Sequence, residues 1–212
     1  MRRRGKGLPT YRFVRYADDF VVLVSGTRSH AEALREEVAA VLSTVGLRLA
    51  VEKTTIVGID EGFEFLGFRI QRQTKRGSDK RFVYTWPSKK ALASIKARVR
   101  TITRQGMNGS LADLLRRLNA ALRGWTNYFR HGSSKATFAY LHQFTWSRVL
   151  CWLHAKFRGA RWRKVKRRHL PRWWPTDGEV RLFDARAVPV IRYRYRGAII
   201  PSPWERVTVR VA

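Results

Sequence analysis

The sequence is poor in cysteine, in acid and in long apolar runs. Its single cysteine, Cys151, excludes an internal disulfide, a Cys-x-x-Cys redox pair and a cysteine-rich zinc site, and its apolar neighbours mark it as inert packing. His131, His142, His154 and His169 have neither metal-site spacing nor a partner acid cluster, so zinc is not expected. Uninterrupted apolar runs such as Phe20 to Val24 stop far short of the roughly 20 residues that span a bilayer, and no signal-peptide core follows Met1. No membrane partner is expected. There is no Gly-rich phosphate loop of the Walker type and no recognisable Ser-His-Asp or Cys-His arrangement, so nucleophilic catalysis has no support.

The shortage of acid is the most informative. Among 212 residues, 15 Asp and Glu face 44 Lys and Arg, a formal charge of +29. With 44% hydrophobic and 12% aromatic residues the chain has enough apolar side chain to fold, unlike a disordered basic tail. A compact body so charged repels itself and is suited to a polyanion whose counterions are released on binding. Nucleic acid is the expected partner, and a cytoplasmic ribonucleoprotein the expected setting. The charge is concentrated. Residues 81–176 hold 22 basic residues and one acid, Asp113, and all eight tryptophans lie from Trp86 onward. Composition therefore changes near Trp86–Pro87, and the tightest basic run is Arg161 to Arg168, which includes Arg163 and Lys164.

Residues 11–24 read as two β-rich runs around a tight turn at Ala17-Asp18, a hairpin with carboxylates at its tip. Ser29-x-x-Glu32 has the form of a capping box, and Ala31, Leu34, Val38, Val41, Leu42 and Val45 keep one helical face up to Gly46. Leu47 to Val51 alternates as a strand, and Phe63 to Phe68 opens a further hairpin whose turn is expected within Lys75–Asp79. After Pro87 the period becomes helical, with stripes through Leu92 to Ile102, Leu111 to Phe129 and Phe138 to Trp152, which predicts a three-helix bundle. Trp125 and Phe129 continue the second stripe as packing. Gly124 interrupts that helix and suggests close approach of another backbone. Arg116, Arg117, Arg123 and Arg130 fall on the polar side with Asn127 and Tyr128, where guanidinium forks suit phosphate. From Gly159 onward prolines interrupt the pattern, and a short, partly extended, β-containing tail is expected. The domains expected are 1–86, 87–157 and 158–212.

By the residues alone, Asp18-Asp19 reads as a surface turn salt-bridged to its basic neighbours; the flanking strand–Tyr-x-Asp-Asp–strand pattern adds the alternative of hard carboxylate oxygens that suit a divalent ion such as Mg²⁺. Tyr16-Ala17-Asp18-Asp19 resembles the catalytic box of reverse transcriptases in the form used by group II intron reverse transcriptase/maturases. Gly46-Leu47-x-Leu49 leading to Glu52-Lys53-Thr54 resembles the next motif of that family, and Phe65-Leu66-Gly67-Phe68 resembles its primer grip. Leu122-Arg123-Gly124-Trp125-Thr126-Asn127-Tyr128-Phe129 is similar to the signature of its maturase-specific or thumb domain. The stretch from Val188 through Gly197 to Pro203-Trp204 resembles the segment beyond the thumb in many bacterial members. The four ordered motifs and this tail cover nearly the whole chain from Tyr11.

The resemblance implies an α+β protein: the end of a polymerase palm, a three-helix thumb or maturase bundle, and a small irregular tail. It implies an RNA-directed DNA polymerase and splicing maturase whose partners are group II intron RNA, an RNA template and a DNA primer. Asp18 and Asp19 would be catalytic ligands of a two-metal Mg²⁺ site, and Lys53 would steady the incoming triphosphate; by the residues alone, Lys53 reads as a surface lysine paired with Glu52. Tyr16, Ala17, Phe65, Leu66 and Gly67 would shape the primer and nucleotide site. The family also needs a third aspartate well upstream of the hairpin, and only ten residues precede Tyr11. The expectation is a C-terminal part, inactive alone, from a truncated gene, a contig edge or a split gene, the last of which would make a separately encoded N-terminal half a partner; the alternative is a non-catalytic maturase that only stabilises folded RNA.

Overall fold

Aromatic and β-branched residues on both sides of Ala17-Asp18 favour extended backbone. In the computed structural model, which describes residues 8–50 and 52–191, they form an antiparallel ribbon. β1 (Thr10–Tyr16) pairs with β2 (Asp19–Ser25) in the register Tyr11↔Val24 through Tyr16↔Asp19. Ala17 turns the chain at φ 52, a left-handed conformation that a Cβ resists, and Arg15 Nε donates to its carbonyl at 2.7 Å. A two-stranded ribbon has no second layer to cover it, so Phe13, Tyr16 and Leu23 remain exposed.

The next element, helix α1 (Arg28–Thr44), starts one turn detail away from expectation. Its N-cap is Thr27, not Ser29, because His30 Nδ1 accepts from the Thr27 backbone N–H at 3.1 Å. Glu32 instead pairs with Arg28 at 2.9 Å. At the other end Gly46, φ 75, closes a Schellman motif: its N–H donates to Ser43 O, and Leu47 N–H to Leu42 O at 2.9 Å. The strand expected over Leu47 to Val51 does not form in residues 47–50; Val51 lies outside the described residues. Leu47 N–H is spent on the helix end, and Ala50 O accepts from Lys53 and Thr54 in a local turn, so neither group can join a ladder.

The second sheet has strand order β3-β4-β5: β3 (Phe63–Phe65), β4 (Phe68–Thr74) and β5 (Arg81–Pro87). The turn within 75–79 is present, with Lys75 N–H donating to Lys80 O at 2.8 Å. A second turn, unforeseen, sits inside the Phe65-Leu66-Gly67-Phe68 motif: Leu66 and Gly67 have φ 50 and 76, and Phe65 pairs with Phe68. Two positive φ values suit the right-handed twist of the strands they join. Asp60 clamps the sheet by accepting from Arg72 at 2.6 Å and from Arg81; the Arg72 hydrogen bond holds its carboxyl below the usual range.

The chain divides into two compact units between Val83 and Tyr84, and the described residues beyond 158 belong to the second. Every buried apolar side chain among the described residues belongs to that unit. α2 (Lys89–Gln105) packs on both α3 (Leu111–Phe129) and α4 (Lys135–Lys156). Val99, Leu115, Leu118, Leu122, Phe138, Leu141, Val149 and Leu153 are fully enclosed there; each such side chain contributes about 1.5–3 kcal/mol on leaving water. Ser88 caps α2 through Ala91 N–H at 3.1 Å, and Ser110 with Asp113 forms the capping box of α3. Trp125 packs as expected, half-buried against Phe129 and Phe138 at centroid distances of 4.5 and 6.0 Å. One expectation changes here. Cys151 is exposed, since Val149, Trp152 and Leu153 take the core-facing positions of α4. Among the described residues nothing lies within 4 Å of where a Cβ would stand on Gly124, so no helix of this unit is the backbone that approaches it, and the place is open to RNA.

Residues 160–191 are more ordered than their prolines suggest. α5 (Trp162–His169) buries Val165 and His169 and leads through a turn at Pro171–Trp173 to a small hairpin, β6 (Thr176–Asp177) with β7 (Val180–Arg181). Asn119 on α3 clasps that hairpin: its Nδ2 donates to Arg181 O at 2.7 Å and its Oδ1 accepts from Phe183 N–H at 2.8 Å. Asp177 Oδ2 accepts from Ala112 N–H at 3.1 Å in the first turn of α3. The tail expected from Arg192 to Trp204 lies outside the described residues.

Candidate functional site

The ribbon brings Tyr16, Ala17, Asp18 and Asp19 to one tip, with Asp18 in the turn and Asp19 opening β2 opposite Tyr16; all four are exposed. Carboxylate oxygens suit Mg²⁺, which binds through one or two carboxylates completed by water and substrate phosphate. Among the described residues no group of three or more His, Cys, Asp or Glu side chains comes together. The tip therefore offers a pair of carboxylates and does not by itself complete a two-metal centre. Lys53 is exposed beside Glu52 but forms no ion pair with it among the described residues. Phe65, Leu66 and Gly67 are half-buried on the other hairpin, where Leu66 is held in a left-handed conformation that costs on the order of 1 kcal/mol or more for a residue with a side chain.

In the second unit the helical register gathers basic residues. Spacings of seven, four and three put Arg116, Arg123, Asn127 and Arg130 on one face of α3, with Gly124 beside them. Several of these groups are already engaged. Arg116 pairs with Asp113 at 2.7 Å, Arg117 donates to Gln105 at 3.3 Å, and the Arg123 guanidinium lies 5.5 Å from the centre of the Phe183 ring. Arg130 is half-buried and its Nε is without a hydrogen-bond partner among the described residues. Asn127 and Tyr128 are exposed, the Tyr128 ring edge-on to Phe129.

The freer cations lie on α5. Trp162, Val165 and His169 turn inward, while Arg163, Lys164, Arg167 and Arg168 are exposed, their side chains with no ion pair or hydrogen bond among the described residues; Arg161 at the N-cap is exposed as well. Arg167 and Arg168 were visible in the sequence as part of a charge run, but not as site residues. The register set by Trp162, Val165 and His169 is the signal that places them outward.

Residues 92–173, from α2 to the Pro171–Trp173 turn, match the family model of the group II intron maturase-specific domain, and residues 3–70 match that of reverse transcriptases, RNA-dependent DNA polymerases. The chain belongs to the group II intron reverse transcriptase/maturase family. An 84-residue stretch, 39% of the chain, is 45% identical to Protein YkfC of Escherichia coli strain K12 and spans 22% of the length of that relative. The α+β architecture agrees with the family: the reverse-transcriptase match covers the carboxylate hairpin, α1 and the start of β4, and the maturase match covers the helices and most of their basic side chains. No helix of the described residues is long and apolar enough to cross a membrane.

The maturase unit also buries two imidazoles. His142 and His169 are each 5% exposed, with Nδ1 at 3.5 Å from Asp184 and 3.7 Å from Asp177 and no hydrogen bond between them. Burial lowers both pKa values and outweighs the nearby carboxylates; Arg186 lowers His142 further, and Arg168 lowers His169. Both shifts favour the neutral imidazole over an ion pair.

Proposed function

We propose that the helical unit binds folded group II intron RNA and assists its splicing, and that the first unit is the end of a reverse-transcriptase palm which copies RNA into DNA when the rest of the polymerase is supplied. The observation that carries the reading is the maturase-specific match over residues 92–173, a stretch almost without acid, whose Asp113 is occupied in capping α3. In splicing by such RNAs the protein supplies positive charge and shape recognition. On this reading Arg116, Arg117, Arg123, Asn127, Tyr128 and Arg130 on α3, with Arg161, Arg163 and Lys164 at the start of α5, meet the RNA. Tyr16, Ala17, Phe65, Leu66 and Gly67 border the primer and incoming nucleotide, and Lys53 stands near its phosphates. Asp18 and Asp19 supply two ligands for Mg²⁺, with a third carboxylate from outside the described residues. The exposed apolar side chains of the β1–β2 ribbon support a further palm layer as a partner, on the same chain or separately encoded. The association would be cytoplasmic.

A non-catalytic maturase is the second reading, favoured by the bare pair of carboxylates at the tip. Primer extension separates the two. With Mg²⁺, template and primer, addition of an upstream fingers-and-palm segment in trans or by fusion restores synthesis on the first reading, and Asp18→Ala or Asp19→Ala abolishes it. Splicing assistance that persists with no synthesis from any fusion would leave the second reading standing.

A further inference from the structure

The turn after α5 builds an opening that the basic faces do not account for. Arg172 and Trp173 are consecutive residues at φ 51 and 63, a conformation that side chains disfavour. Three hydrogen bonds hold it: Trp173 N–H to Leu170 O at 3.0 Å, Trp174 N–H to Pro171 O at 2.9 Å, and Trp146 Nε1 to Trp173 O at 2.9 Å. The two indoles are thereby sent different ways. Trp174 turns inward, donating Nε1 to Leu182 O at 2.8 Å and lying 5.2 Å from the His142 ring. Trp173 stays outward, 51% exposed, with the Lys166 ammonium 3.7 Å from its ring centre. Between them is an open cavity of about 270 Å³ lined by Trp146, Trp173, Trp174, Gln143, Arg172 and Arg186. Arg186 is committed to Asp184 at 2.9 Å. Gln143 and Arg172 are exposed and have no hydrogen-bond or ion-pair partner among the described residues.

We propose that this pocket receives one unpaired nucleobase of RNA, stacked on Trp173, with the Gln143 amide reading its edge and Arg172 on the adjoining phosphate. The inference rests on the reading that this unit binds RNA and goes beyond it, since the basic faces of α3 and α5 recognise phosphate alone. A flat aromatic wall held outward by a strained backbone suits a planar ring. Arg172 in the pocket wall and Lys166 on the Trp173 ring repel a cationic guest, and they favour a ring carried on an anionic backbone. A base inside a duplex has both faces covered by its neighbours, so the guest is a bulged or single-stranded one.

The full chain is titrated with two RNA hairpins, one with a single bulged 2-aminopurine and one with the same base paired. The bulged probe should be quenched and bound more tightly. Trp173→Ala should weaken the bulged hairpin about 5- to 150-fold, down to the affinity of the paired one, with the salt dependence unchanged. Trp173→Phe, which keeps a stacking ring, should retain most of the preference. A bulge preference that survives Trp173→Ala, or one lost equally in both variants, would overturn the pocket while leaving salt-dependent binding of the paired hairpin, and hence RNA binding by the unit, intact. Wild-type protein that binds neither hairpin would remove the RNA reading and the pocket together.

Discussion

The α5 helix isolates the electrostatic part of RNA binding from the fold. Arg163, Lys164, Arg167 and Arg168 are exposed and unpaired among the described residues, whereas Trp162, Val165 and His169 carry the packing. Replacing the four cations by Gln removes charge from a helix whose intrinsic propensity barely changes. If each cation neutralises one phosphate of a single-stranded segment, the log–log salt slope becomes shallower by about 0.7 per contact, or roughly 2.8 for four. Over a rise from about 50 to 200 mM salt, wild type then loses roughly 50-fold more affinity than the variant. Fluorescence anisotropy on a labelled RNA across a salt series measures the slope, and a thermal melt checks the fold. The matching α3 variant, with Arg116, Arg117, Arg123 and Arg130 all changed to Gln, should alter the slope less per residue. Arg116 is held by Asp113, Arg123 lies over Phe183, and Arg130 is half-buried. It should also lower the melt, which the α5 variant does not. Equal slopes for the α5 variant and wild type would refute the assignment of free cations to that helix.

Asn119→Ala removes both hydrogen bonds that hold the Arg181 and Phe183 backbone to α3 and should cost about 2–4 kcal/mol in denaturant unfolding; an unchanged midpoint would mean the hairpin is docked by apolar contacts alone. Trp125→Ala should cost less than the roughly 3–5 kcal/mol of a fully enclosed tryptophan, because Trp125 is only half-buried against Phe129 and Phe138; a loss in that full range would place it in the core. His142 and His169 have folded pKa values below the unfolded value near 6.5, so unfolding takes up protons as pH falls below it. Their stabilisation is complete above that pH and declines with acidification until the folded pKa values are reached. Melts from pH 7.5 to 5.5 should show the decline, and His142→Gln with His169→Gln should reduce it; an unaltered pH dependence in the double variant would assign the effect to other groups.

Where structure depended on neighbours in sequence, it was legible. Tyr16 to Asp19 read as a hairpin tip because strand-forming residues flank a two-residue turn. The stripes through Leu111 to Phe129 and Phe138 to Trp152 read as helices because a core-facing side must repeat with the helical period. The near-absence of acid between 81 and 176, where Asp113 stands alone against 22 basic residues, already pointed to a polyanion, and the motifs from Tyr16 to Phe129 to the family, both properties of composition and order that survive without a fold. Tertiary structure alone decided where the chain was bound to itself at a distance. Leu47 to Ala50 alternates like a strand, yet its backbone groups are taken by the end of α1. The proline-rich stretch after Gly159 carries little periodicity, since its order comes from Asn119 some 60 residues away, as in the bond to Arg181 with a separation of 62. The same holds for the charges. A sequence counts every arginine alike, but only packing determines that Arg123 lies over the Phe183 ring, that Arg130 is half-enclosed, and that Arg167 and Arg168 face solvent. Trp173 beside Trp174 was invisible as a site, because their opposite directions follow from two left-handed residues and from Trp146, which reaches them across a separation of 27.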